Sequence, residues 1–332
     1  MMSKKLVIAM VKYSDWLEAW SLLTEDSYDE IIFHIIEDRR NNQQSVEKVV
    51  DELPVKRDVT IVAHGSKQEW MDAVGRCALE LKIGDTLAAP FIQYMYPWRL
   101  LGVGRGKKGV SLAHIPRAVK AGVRTVHLSE GLPDSFGLLG YALGYRRLSW
   151  KSLPAVLLTP LYALLHKPDE NYYPLAEYLA NPFVKRTRSV TRPVLGVAKR
   201  EVLDSYAGTE KRPLLIGGFG YSAEKMAKEL GISSFWATSK NREIIVDGIA
   251  HATDIQISAE DVLLSGWVSE VVSYESTVVC WARCLEPEIK VSCYSAPALS
   301  KVFGPIYRIL AARTLSKIGV TVLPENQAMQ DR

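Results

Sequence analysis

Leu6-Val7-Ile8-Ala9-Met10 is an apolar run directly after Lys4-Lys5, too short for a signal peptide or a bilayer span and of the right length for one buried strand. Working outward from it, Trp16 to Leu23 carries a helical period and Glu30 to Ile36 reads as a strand. Ser45 to Leu53 is helical again, and Val59 to Ala63 is another apolar strand. This βαβαβ opening predicts a parallel sheet covered on both faces, with right-handed crossovers. The third strand runs into His64-Gly65-Ser66, with a helix starting near Gln68. His64 and Gly65 sit where backbone N–H groups can face an anion or a substrate oxygen, although the same residues also make an ordinary turn.

A second strand-to-loop junction carries a carboxylate. His114 to Ala121 reads as a helix with Pro116 in its first turn, and Val123 to Leu128 as a strand that delivers Ser129-Glu130-Gly131. The chain then continues into Pro133-Asp134-Ser135-Phe136-Gly137. Open α/β sheets place their chemistry at the carboxyl ends of strands, and glycine lets a loop pass close to a ligand. Glu130 is therefore a candidate catalytic base, flanked by Ser129 and Gly131 as substrate contacts; the competing reading is a solvated turn acid. Gly102 to Gly109 matches neither GxGxxG nor GxxxxGK[ST] and reads as a flexible basic loop.

The 332 residues leave room for two domains, and 48% hydrophobic with 23% charged residues is a globular composition. A net charge of +4 suits an anionic small substrate or an anionic membrane surface and is too small to suggest nucleic acid. The four cysteines form no CxxC pair, so no metal site or disulfide framework is expected, and Cys280 and Cys284, one helical turn apart, read as buried free thiols. A cytoplasmic protein fits this usage, either free or at the inner face of the cytoplasmic membrane. The apolar segment Leu153 to Leu165, interrupted by Pro160 and flanked by Arg146, Arg147, Lys151 and Lys167, fits a core helix or a segment resting on a membrane.

Between Asn171 and Arg200 proline, tyrosine and basic residues mix without a period, which sets a domain boundary near residue 190. Residues 1–190 form the expected acceptor-side domain and 191–332 the nucleotide-sugar domain. The second domain opens with a strand at Pro213 to Ile216, the turn Gly217-Gly218-Phe219-Gly220 and a helix from Ser222 to Leu230. A strand follows at Ser234 to Ala237. Further on, a helix is predicted from Ser258, a strand at Glu270 to Ser273, and a helix beginning at Ser276-Thr277. Two adjacent hydroxyls on free helix N–H groups make a phosphate seat; they also make a common N-cap.

Taken together, Glu130-Gly131, Ser258-Ala259-Glu260 and Ser273-Tyr274-Glu275-Ser276-Thr277 resemble the motifs of bacterial sialyltransferases and polysialyltransferases. The resemblance implies the GT-B fold, two Rossmann-like α/β domains facing a cleft, and inverting transfer from CMP-sialic acid without a metal or other cofactor. It assigns the base to Glu130, the cytidine ribose to Glu260, the CMP phosphate to Ser276 and Thr277, and the opening turn of the second domain to Gly217 and Gly218. Acceptor-side contacts are expected from Tyr94, Tyr96, Trp98 and Arg105. The implied acceptor is an oligosaccharide or glycolipid of the lipooligosaccharide or capsule kind. Where the family carries a His-Pro motif this chain has Thr238-Ser239-Lys240-Asn241-Arg242-Glu243. Lys240 or Arg242 would then supply positive charge to the departing phosphate, with His251 as the one histidine nearby in sequence. Two other readings share the fold: a transferase using CMP-Kdo or a nucleoside-diphosphate sugar, and a non-catalytic binder of glycan or an assembly partner.

Overall fold

A computed structural model describes residues 4–11, 15–25, 27–36, 58–91, 112–129, 131–136, 161, 164–217, 222–239, 243–274, 276–294 and 306–323. The expected helix at Ser45 to Leu53, the basic loop at Gly102 to Gly109, the contacts at Tyr94, Tyr96, Trp98 and Arg105, and most of Leu153 to Leu165 lie outside these residues. The chain forms two units. The first holds the described residues up to Ser129 and from Leu161 to Pro193, and the second those from Val194 onward together with 131–136.

The first unit contains β1 (Lys5–Ala9), α1 (Asp15–Glu25), β2 (Glu30–Ile36), β3 (Asp58–His64), α2 (Lys67–Glu80) and β4 (Thr86–Ala89). A 3-10 turn at Leu112–His114 leads into α3 (Ile115–Ala118), followed by β5 (Arg124–His127), β6 (Glu170–Tyr173) and β7 (Arg186–Ser189). All neighbours pair in parallel in the order β3-β2-β1-β4-β5-β6-β7, a doubly wound sheet whose strand order reverses between β1 and β4. As a central strand covered on both faces, β1 buries Leu6 through Ala9 completely. On one face Val7 and Ala9 join Trp70 and Val74 of α2; on α1, Trp16 packs on Phe33 of β2 at 5.8 Å between centroids.

β6 and β7 fall in the stretch that lacks a sequence period, because ions rather than alternating apolar residues hold them. The Glu170 carboxylate pairs with Arg124 of β5 and, at 2.6 Å, with Arg188 of β7, and Arg124 also donates to the Tyr172 hydroxyl at 3.0 Å. A buried carboxylate with two guanidinium partners satisfies both its oxygens, so a strand reading Glu-Asn-Tyr-Tyr can be buried at every position.

The second unit contains α4 (Val197–Ala207), β8 (Arg212–Ile216), α5 (Ala223–Leu230), β9 (Trp236–Thr238), β10 (Glu243–Val246) and β11 (Ile249–Ala252). It continues with α6 (Ala259–Ser265), β12 (Val268–Tyr274), α7 (Thr277–Leu285), β13 (Lys290–Tyr294), α8 (Tyr307–Lys317) and β14 (Thr321–Leu323). The order is β11-β10-β9-β8-β12-β13-β14. From β9 to β14 the strands are parallel, with the order reversing between β8 and β12, and β10 and β11 extend one edge as an antiparallel hairpin. The hairpin turns at Asp247-Gly248, with φ of 51° and 81°. Two positive φ values make the tight turn whose twist matches the strands, and Asp-Gly is its usual sequence. Both sheets are thus α/β and mostly parallel. Among the described residues no helix is long and apolar enough to cross a membrane.

Candidate active site

In the second unit the reversal of strand order puts the ends of β8 and β12 side by side, with Leu215 opposite Val272 and Ile216 opposite Ser273. The crevice outside the carboxyl ends of such a strand pair is where open α/β sheets bind ligands. Gly217 follows β8 there, and Ser276 and Thr277 follow β12; Gly218 lies outside the described residues. Ser276 caps α7 with extended backbone, φ −134° and ψ 151°, and its hydroxyl accepts from the Val278 N–H at 3.4 Å, a long bond. Thr277 is the first helical residue. Behind them α7 buries Val278, Val279, Cys280, Trp281 and Ala282, which fixes the helix on the sheet; Cys280 is a buried free thiol and Cys284 a half-buried one.

The segment 131–136 belongs to this unit. Gly131 has φ +89°, and a Cβ there would lie 2.5 Å from Thr277 Cγ2 and 3.2 Å from Thr277 Oγ1. Glycine is required twice over, by the backbone and by the threonine against it. The Asp134 N–H donates to the Gly131 carbonyl at 3.2 Å, and Phe136 packs edge-on to Tyr307 of α8 at 5.3 Å. The residue after the candidate base and the second hydroxyl of the candidate phosphate seat are therefore in contact. Glu130 itself lies outside the described residues, as do Lys240 and Arg242.

In the first unit Ser129 is held by a residue the sequence alone did not single out. Ser129, 1% exposed, donates its N–H to Glu18 Oε2 at 2.7 Å and its hydroxyl to Glu18 Oε1, and Glu18 on α1 is 3% exposed. A carboxylate holding both donors of one residue fixes the backbone immediately before Glu130. The only sequence signal for Glu18 is an acid among the apolar residues of an amphipathic helix, and its partner is 111 residues away.

Glu260 lies in the first turn of α6 and is buried, at 7% exposure. Its neighbour Asp261 closes a capping box with Ser258 and receives Lys199 Nζ from α4 at 2.9 and 2.8 Å. At the ends of β12 and β13, Tyr274 and Tyr294 are register partners with centroids 5.7 Å apart, Tyr274 standing two residues before Ser276 in the chain. Burial, with Glu229 adding to it, pushes the Tyr294 phenol up, so it remains a hydrogen-bond donor.

Two sequence candidates stand elsewhere. His251 is on β11, the outermost strand, stacked on Tyr206 at 4.5 Å. Four strand spacings separate it from β12, about 19 Å at the usual 4.8 Å, so it is not brought to Ser276. His64 ends β3, four strands from β5 in the first sheet, and Gly65 follows it. His64 Nε2 lies 2.9 Å from His34 Nδ1, and Ser66 caps α2 by accepting from the Glu69 N–H. The His64 ring is thus engaged with His34, and the Ser66 hydroxyl with the Glu69 N–H.

The histidine pair predicts acid sensitivity. Burial and the adjacent His64 hold His34 at about 4, below its ordinary 6.5, and burial lowers His64 as well against the opposing charge of Glu69. The folded state thus excludes protons that the unfolded chain binds below pH 6.5. The stabilisation is complete above that pH and is lost as pH falls towards 4, by about 2–3 kcal/mol for His34. Melting temperature measured between pH 7 and pH 4 is expected to fall less steeply in His34→Gln than in the wild type. Parallel curves would show that this pair does not govern the acid limb.

No protein-family model matches this chain, and no curated protein matches it.

Proposed function

We propose that the chain is a metal-independent, inverting GT-B glycosyltransferase that moves sialic acid from CMP-sialic acid to an oligosaccharide or glycolipid acceptor of the lipooligosaccharide or capsule kind. The observation that carries this reading is the packing of Gly131 against Thr277, which joins two motifs 146 positions apart that the resemblance links in one reaction. The doubly wound parallel sheets, and the position of Ser276 at the strand reversal of the second sheet, support it further.

In this reading Glu130 takes the proton of an acceptor hydroxyl as that oxygen attacks the anomeric carbon from the face opposite the nucleotide. The bond to the CMP phosphate oxygen breaks and the stereocentre inverts. The Ser276 and Thr277 hydroxyls donate to the phosphate, backed by the positive end of α7. Lys240 or Arg242 neutralises the departing CMP in place of the absent His-Pro motif, and Glu260 holds the ribose. The reaction would run on the cytoplasmic side of the membrane.

The test is calorimetric titration with CMP, UDP and GDP in the absence of metal, on the wild type and on the Ser276→Ala, Thr277→Ala double variant. Selective CMP binding is expected, weakened by about ten- to a hundredfold in the variant. Binding of UDP or GDP in preference points to a transferase with another donor. Selective CMP binding with no turnover on any acceptor points to a binding protein, a reading that the missing His-Pro permits. If CMP binds the variant as it binds the wild type, the hydroxyl pair does not hold the phosphate.

A further inference from the structure

Leu161, Leu164 and Leu165 have helical backbone and are 56%, 52% and 57% exposed. All three fall within five residues, and a cluster of exposed leucines marks a contact surface where single ones would not. Cations flank it. Lys167 follows two residues later, the His166 ring stands 5.5 Å from that of His114, and the charge of Arg117 reaches His166. Arg117 and Lys120 are exposed.

The sequence that leads to these leucines is one-sided in charge. Residues 91–168 hold eleven Lys or Arg against two acids, Glu130 and Asp134, a net of +9, so the rest of the chain carries −5 within the total of +4. The modest overall charge hides a strongly basic stretch that also contains nine of the chain's aromatic residues.

We propose that the first unit docks on an anionic lipid bilayer through the Leu161, Leu164 and Leu165 face, with Arg117, Lys120 and Lys167 meeting the headgroups. Leucines beside basic residues, with aromatics near in sequence, are the composition of an interfacial segment. A second copy of this chain fits poorly, because a two-fold contact would bring two surfaces of the same positive charge together. A nucleic acid would use the cations but not the leucines. The surface also leaves the chemistry open. His166 precedes the first residue of β6 by four positions and α3 ends six before β5 begins, so both approach the amino edge of the sheet, opposite the edge that carries Ser129. The inference rests on these surface residues and is independent of the donor.

The experiment is co-sedimentation with vesicles of phosphatidylcholine and with vesicles in which phosphatidylglycerol replaces about a third of it. Wild-type protein, a Leu161→Ser, Leu164→Ser, Leu165→Ser variant and an Arg117→Glu, Lys167→Glu variant are compared at low and physiological salt. The wild type is expected to bind the anionic vesicles, more weakly as salt rises, and each variant to lose at least about tenfold in partitioning. Melting temperature and CMP titration of the same samples should be unchanged, which separates this inference from the proposed activity. The inference is overturned by absence of binding to anionic vesicles, or by undiminished binding of either variant. It is equally overturned if the leucine substitutions change the molar mass by light scattering, which would assign the face to a protein contact.

Discussion

Gly131→Ala is expected to destabilise the second unit by about 3 kcal/mol or more, the sum of backbone strain at positive φ and overpacking against Thr277. The two contributions can be separated within the same unit. Gly231 also has a left-handed backbone, φ +67°, but a Cβ there meets nothing within 4 Å. Gly231→Ala should therefore show the backbone penalty alone, about 1 kcal/mol. The atom that an alanine at 131 strikes is Thr277 Cγ2, which serine lacks. Thr277→Ser in the Gly131→Ala background should recover the packing part of the loss while keeping the hydroxyl. If the proposed phosphate seat is right, CMP affinity falls in Gly131→Ala and returns with the serine. Calorimetric unfolding and CMP titration check both outcomes, and equal losses at Gly131 and Gly231 would rule out the contact as the cause.

That contact shows how far the sequence could be read. Leu6 to Met10, Glu30 to Ile36 and Val59 to Ala63 are legible as strands because central parallel strands are buried on both faces and read as apolar runs. Ser222, Ser258 and Ser276 are legible as helix starts, and each accepts from a first-turn N–H. β6 and β7 are not legible, since Arg124 and Arg188 neutralise the buried Glu170 and leave no apolar alternation. The β10-β11 hairpin has a signal, Asp247-Gly248 between short apolar runs, which the parallel pattern around it obscures. The site divides the same way. The hydroxyls at Ser276-Thr277 stand out locally, whereas Glu18 acts on Ser129 across 111 residues and His34 reaches His64 across 30. Neither partner carries a local signal, because only the fold decides which strand ends are neighbours.

Lys199→Met is expected to lower the stability of the second unit by about 3–5 kcal/mol, the usual cost of leaving one member of a buried ion pair without the other. Lys199 and Asp261 have side chains 6% and 4% exposed, and Lys199 Nζ reaches both carboxylate oxygens. Asp261 also accepts from the Ser258 N–H at 2.8 Å and from its hydroxyl at 2.9 Å. Removing the ammonium strands a charge that two hydrogen bonds cannot replace. Lys199→Met with Asp261→Asn should cost less than Lys199→Met alone, because a neutral amide can keep accepting from Ser258 without needing a cation. Denaturant unfolding of the two singles and the double measures the coupling. A loss in the single below about 1 kcal/mol would put the pair in the class of surface bridges and contradict its burial. The consequence reaches the site through Glu260, the residue before Asp261 on the seven-residue α6. A helix that short depends on its cap and its packing rather than on its own hydrogen bonds. Weakening the anchor from α4 should therefore lower CMP affinity in the variant even at temperatures where the unit remains folded. The Asp261→Asn double variant should restore affinity and stability together.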